Sequence, residues 1–161
     1  MPVEIPRPAL AGRKALVVGV ANDSSIAYGC AKAFHELGAE QAITYLNDKA
    51  RPHVEPLVRE LRAPLFLPLD VSVEGQLEAV FDEIGKTWGE LDILVHSIAF
   101  APKEDLQGGL LNCSASGFAK AMDVSCHSFV RMARLAAPLM KNGGTMMAMS
   151  YHGAAKVVPT Y

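Results

Sequence analysis

The chain has 161 residues, half of them apolar and a fifth charged, and its 15 basic and 17 acidic side chains leave a formal net charge of −2. That is an ordinary globular composition, large enough for a real core, and the length alone suggests one domain. The balance of charge gives no electrostatic footprint for DNA or RNA, and no apolar run approaches the ~18 residues of a membrane helix. The first residues, with acidic Glu4 and scattered prolines, lack the apolar region of a signal peptide, which points to the cytoplasm. Cys30, Cys113 and Cys126 show no C-x-x-C spacing, so free thiols are expected rather than a disulfide framework or a zinc site.

Residues 1–12, with Pro2, Pro6 and Pro8, read as an N-terminal arm. Lys14 to Gly19 is a short β-branched run ending in glycine, the pattern of a buried strand. Ser25 to Leu37 follows as a helix, with Ile26, Ala27, Cys30, Ala31 and Phe34 at helical spacing, Ser25 as cap and Gly38 as stop. Gln41 to Tyr45 is a second strand and Lys49 to Leu61 a helix, in which Pro52 suits the first turn and Pro56 does not suit an interior. Leu65 to Leu69 is a third strand ending at Asp70, and Val73 to Trp88 an amphipathic helix closed by Gly89. Ile93 to His96 belongs to a fourth strand. A loop from Ser97 to Asn112 leads to one long helix, Ser114 to Met140, and Thr145 to Met149 is a fifth strand.

Strands alternating with helices imply parallel strands joined by right-handed crossovers, hence a doubly wound, Rossmann-like α/β sheet with helices on both faces. In such a sheet a dinucleotide sits at the first strand-to-helix turn, although another α/β domain, flavodoxin-like for instance, fits the alternation equally. The turn itself reads Gly19-Val-Ala-Asn-Asp-Ser-Ser25-Ile-Ala-Tyr-Gly29. Gly19 permits close backbone approach to a pyrophosphate, and the helix start offers free N–H groups. Ala21 and Ser24 stand at the second and third glycine positions of G-x-G-x-x-G, so the turn alone is equally a capped strand-to-helix connection. Asp70, taken alone, reads as a cap of the next turn, His96 as a packed histidine, and the methionines as core filler.

Taken together, Gly19-Val-Ala21 with Ser25-Ile-Ala-Tyr-Gly29, Asp70-Val71, Val95-His-Ser-Ile-Ala-Phe-Ala-Pro102, Ser150-Tyr151 and Pro159-Thr-Tyr161 resemble the bacterial enoyl-acyl-carrier-protein reductases, a divergent branch of the short-chain dehydrogenases/reductases. Ser97-Ile-Ala-Phe replaces the Asn-Asn-Ala-Gly usual after the fourth strand of ordinary short-chain dehydrogenases. Asp123-Val-Ser stands where they carry an Asn, and Ala148 where they place a serine thirteen residues before the catalytic tyrosine. These departures favour the enoyl reductase branch over a 3-oxoacyl ketoreductase.

The resemblance implies reduction of the trans-2 double bond of an enoyl thioester in fatty acid synthesis, with an acyl carrier protein as partner and a homotetramer, while charge and hydropathy lead to no expected nucleic-acid or membrane partner. It implies that Gly19, Ala21, Ser25 and Ile26 line the pyrophosphate, that Asp70 and Val71 hold the adenine, and that Ser97, Ile98 and Ala99 run under the ribose and nicotinamide. Ala101 would border the acyl chain, Tyr161 would be the principal catalytic tyrosine, and Tyr151 the second. Tyr45-Leu46-Asn47 ends the second strand without the family's frequent glutamine at Leu46 and without an arginine, so NADH is expected, with NADPH not excluded. The family has a lysine and further strands beyond the tyrosine that is here Tyr161. Residues 1–161 are therefore expected to be the N-terminal part of one reductase domain, incomplete at its C-terminal side and inactive alone. A nucleotide-binding module without turnover is the alternative from another class.

Overall fold

The computed structural model describes residues 8–107 and 109–158. Five parallel strands form one sheet: β1 Lys14–Val18, β2 Glu40–Tyr45, β3 Leu65–Pro68, β4 Ile93–His96 and β5 Thr145–Ala148. They lie in the order β3-β2-β1-β4-β5. Chain order reverses direction at β1 and β4, which is where a doubly wound sheet opens a crevice at its carboxyl end.

The alternation of strand side chains assigns the helices to faces. Leu16, Val18 and Leu94 point to one side and pack with Leu77, Val80, Phe81 and Ile84 of α3 (Gln76–Thr87) and with Met132 and Ala136 of α6 (Ser128–Ala136). Ala15, Val17, Ile43 and Val95 point to the other. They pack with Ala27, Tyr28 and Ala31 of α1 (Ile26–Glu36) and with Val54 and Val58 of α2 (Arg51–Glu60). The expected fold class is therefore the observed one.

Several local expectations change. The segment after β4 is not plain loop: it holds a short helix, α4 (Lys103–Gln107), and one 3₁₀ turn, Leu110–Asn112. The expected long helix is present, but it is not regular α-helix throughout. Ser114 caps α5 (Ala115–Met122) by accepting from the Gly117 N–H at 3.0 Å, as its position suggests. A π-helical turn, Asp123–His127, then separates α5 from α6, and a 3₁₀ turn, Ala137–Leu139, ends the run. Pro56 lies inside α2, where the missing N–H removes one ladder bond. Helix α3 starts at Gln76, because Gly75 at φ +81° breaks the chain direction just before it. From Pro8 on the chain is tied down: the Leu10 N–H donates to the Leu37 carbonyl at 2.8 Å, and Gly38, at φ +90°, lies against Pro8. Residues 1–7 of the expected arm lie outside the described residues.

Candidate active site

The register of the sheet builds the site. Val18 pairs with His96, His96 with Ala148 and Tyr45 with Pro68, so the carboxyl ends of the five strands form one rim. The ladder continues one residue further. The N–H groups of Ser97, Leu69 and Met149 donate to the carbonyls of Val18, Tyr45 and His96 at 2.9, 2.8 and 2.9 Å. The first residues past the strands are thereby brought side by side.

A cleft of ≈ 410 Å³ opens above this rim. That lies within the usual range of small-molecule sites, about 300–1,000 Å³. Its floor is Gly19, Val20 and Ala21 after β1, and Ser97 to Phe100 after β4. Its far wall is Leu69 to Ser72 after β3, with Thr44 of β2 and Leu46 just past it. Of the expected residues, Gly19, Ala21, Asp70, Val71, Ser97, Ile98 and Ala99 meet here. Ser25, Ile26 and Ala101 stand outside this lining.

Gly19 has a second reason to be glycine. At φ +108° it adopts a backbone that L side chains avoid, and an added Cβ would fall on the Ser97 carbonyl. The glycine thus lets β1 and β4 leave the sheet in contact, in addition to baring the backbone toward the cleft. Ser25 occupies the start of α1, but its hydroxyl does not cap the helix. It donates to the Asn22 carbonyl at 2.7 Å, folding the turn back on itself. The free N–H groups of that helix start are left to other acceptors.

Both readings of Asp70 are present in the geometry. Its Oδ1 accepts from the Ser72 N–H at 2.8 Å, the capping role, while the half-buried side chain still borders the cleft. The Asp70 N–H in turn donates to Gln76 Oε1 at 2.8 Å. Asp70 and Lys120 are the charged side chains among the described lining residues. Lys120, from α5, lies 5.2 Å from the centre of the Phe100 ring. Its place in the site has no mark in the sequence, because only the fold brings α5 over the loop after β4. Thr44, Leu69 and Val124 were equally hidden: they read as interior residues of strand and helix.

His96 is a packing residue, as its strand suggests. It is 1% exposed and its ring lies against Phe129, 5.4 Å between centroids. The Ser128 hydroxyl donates to the Val124 carbonyl at 2.7 Å and so receives the His96 Nε2–H at 2.7 Å. Burial pushes the imidazole below its ordinary pKa.

The residues of this cleft fit a dinucleotide. Bare backbone at Gly19 faces it, a carboxylate stands where an amine could donate, and small side chains at Ser97 and Ala99 leave room for a flat ring. Leu46, 54% exposed at the end of β2, offers no hydrogen bond to a ribose. The nearest arginine in sequence, Arg51, lies over the Tyr45 ring at 5.7 Å and pairs with Glu55 at 3.9 Å.

A family model described as enoyl-(acyl carrier protein) reductase matches residues 19–161, nearly the whole of the described fold and site. The chain belongs to the enoyl-acyl-carrier-protein reductase family. The NADH-dependent enoyl-acyl-carrier-protein reductase FabI of Aquifex aeolicus is 43% identical over 153 residues, covering 94% of this chain and 57% of that protein. FabI of Escherichia coli K12 is 41% identical, covering 94% and 58%. A crystal structure of the Anaplasma phagocytophilum enoyl reductase in complex with NAD superposes with a TM-score of 0.90 at 43% identity, covering 94% of this chain and 58% of that one. The chain thus spans less than two thirds of the length of these reductases. Of the two tyrosines that the family resemblance singles out, Tyr151 is described. It is 51% exposed and stands at the entrance to a 3₁₀ turn, His152–Ala154, outside the cleft lining. Tyr161 lies outside the described residues.

Proposed function

We propose that residues 1–161 form the dinucleotide-binding part of a single reductase domain, and that a reductase built on them reduces the trans-2 double bond of an enoyl thioester with NADH. The observation that carries this reading is the cleft. The residues just past four strand ends converge there, with Asp70 on one side and Ser97 to Ala99 on the other, in a chain of the enoyl reductase family. The solved relative bearing NAD supports the choice of ligand.

Asp70 and Val71 would hold the adenine, with the Asp70 carboxylate accepting from the exocyclic amine. Gly19 and Ala21 would face the pyrophosphate, with Ser25 shaping the turn and Ile26 opening the helix whose N–H groups point the same way. Ser97, Ile98 and Ala99 would lie under the ribose and nicotinamide, and Ala101 beside the acyl chain. Leu46 and the engaged Arg51 favour NADH over NADPH, because neither presents a free cation to a 2′-phosphate. The bound nicotinamide would supply a hydride to the β-carbon of the thioester. The part left to the chain is to meet the negative charge that develops on the thioester oxygen. A tyrosine hydroxyl does this without ionising, since free tyrosine titrates near ~10. Tyr161 would be that donor and Tyr151 the second tyrosine, at the periphery of the thioester. The acyl carrier protein is the proposed carrier of the substrate, and a homotetramer the proposed assembly.

Titration of the 161-residue chain with NADH and with NADPH, followed by nicotinamide fluorescence, tests the site. Saturable NADH binding is expected, with Asp70→Ala weakening it by about 10- to 100-fold through loss of a hydrogen bond to a charged group. Binding that Asp70→Ala leaves unchanged would assign Asp70 to the Ser72 turn alone, and absence of binding would overturn the reading.

A further inference from the structure

The interrupted helix beside the cleft grips both of its walls, through backbone groups. On the far wall, Arg131 Nη2 donates to the Val71 carbonyl at 2.9 Å. The same nitrogen stands 3.7 Å from Asp123 Oδ2, in the π-helical turn. On the near wall, Ser125 of that turn makes a reciprocal pair with Phe100. The Phe100 N–H donates to Ser125 Oγ at 3.0 Å, and the hydroxyl donates to the Phe100 carbonyl at 3.1 Å.

These contacts differ in kind from the others that shape the walls. The turn after β3 is folded by short-range bonds: Ser72 N–H to Asp70 Oδ1, Val73 N–H to the Asp70 carbonyl, and Asp70 N–H to Gln76. Such bonds fix the shape of a turn but not its distance from the opposite wall. Beyond Leu69, which the Tyr45 carbonyl holds, the contact from Arg131, 60 residues away in sequence, ties the Val71 backbone to the helix. Likewise the chain leaving β4 is held at Ser97 by the Val18 carbonyl, and its next anchor is Ser125, 25 residues from Phe100. Neither Arg131 nor Ser125 borders the cleft itself. Each acts through the backbone it holds.

We propose that the helix sets the two walls separately, Arg131 positioning the adenine wall at Val71 and Ser125 the nicotinamide wall at Phe100. The assignment of halves rests on the cofactor orientation proposed above. It gives a double dissociation that a merely structural role would not produce, because general loosening of the helix weakens both halves alike.

The probes are adenosine monophosphate and nicotinamide mononucleotide, titrated separately into the 161-residue chain. Arg131→Met should weaken the adenosine probe by about three- to tenfold, the worth of one net hydrogen bond, and leave the nicotinamide probe unchanged. Arg131→Lys, which keeps a charged donor, should recover most of the loss. Ser125→Ala should do the reverse, with exchange of the Phe100 amide hydrogen accelerated by about tenfold, and Ser125→Thr should restore both. Equal weakening of the two probes by either substitution, or by neither, overturns the proposal. If neither probe binds the unsubstituted chain, the cofactor reading fails and the assignment of halves falls with it. The anchor at Phe100 still stands or falls on the exchange measurement, and an unchanged rate in Ser125→Ala removes it.

Discussion

The middle of the sheet and its β5 edge are built from similar apolar strands, yet they are buried to different degrees. In β4 all four residues are buried, and in β1 all but Lys14. In β5, Thr145 and Ala148 are exposed and Met146 and Met147 half-buried. The centre has a helical layer on each face and a strand on each side. The edge has β4 on one side and only part of each layer. Burial in a doubly wound sheet therefore follows from position in the strand order as much as from composition. The cleft, which hangs on β1 and β4, sits on the better-buried part.

Substitutions can break or sharpen this contrast. The largest effect is expected from Gly19→Val at the centre. Its side chain would meet the Ser97 carbonyl from a disfavoured φ of +108°, so a loss on the order of 4 kcal/mol or more is expected, seen as a collapsed urea midpoint. A well-folded Gly19→Val chain would show that β1 and β4 can part at their ends. Leu94→Ala, at a fully buried position, should cost about 2–5 kcal/mol by the same measurement. Met146→Ala on β5 should cost clearly less, about 1–2 kcal/mol, because its side chain is already half in solvent. Equal losses for Leu94 and Met146 would erase the distinction between centre and edge.

The smallest effect concerns pH. His96 is buried and its pKa is lowered by desolvation. In the unfolded chain an imidazole takes up a proton near pH ~6.5, where the folded protein still resists it. The stability tied to this group is therefore fully present above that pH and declines as pH falls toward the folded pKa. His96→Gln keeps an N–H donor for Ser128 and should flatten this part of the stability profile between pH 7 and 5. An unchanged slope in His96→Gln would mean that other groups carry the dependence.

Much of the centre was legible in the sequence because the signals there are local. The runs Lys14 to Gly19 and Ile93 to His96 are short, apolar and bounded, and the observed strands fall on them. Gly19 was legible as a special backbone position, but the neighbour that requires it, Ser97, lies across the sheet. The contacts of Lys120, Ser125 and Arg131 were not legible, since each depends on where α5 and α6 lie over distant loops. Ser25 stands at the cap position of α1 as expected, but residue type and position cannot say which way its hydroxyl turns, and it folds back to the Asn22 carbonyl. The expected helix from Ser114 to Met140 is present almost throughout, but its π-helical turn at residues 123–127 was not legible, because one residue's change of hydrogen-bond register leaves no mark in residue type.

That π-helical turn corrects the phase of the helix. Val124, Ser128, Met132 and Ala136 are all buried, and they recur at intervals of four. On a regular α-helix each interval of four overshoots a full turn by about 40°, so three intervals would carry Ala136 roughly 120° around the axis from Val124. The wider π-helical turn absorbs about one residue's rotation, ~100°, and nearly cancels this drift. Deleting a single residue there would turn it into regular α-helix and leave Met132 and Ala136 facing α3, whereas inserting one would rotate them away by about 100°. The helix thus tolerates the loss of one residue in this turn better than the gain of one.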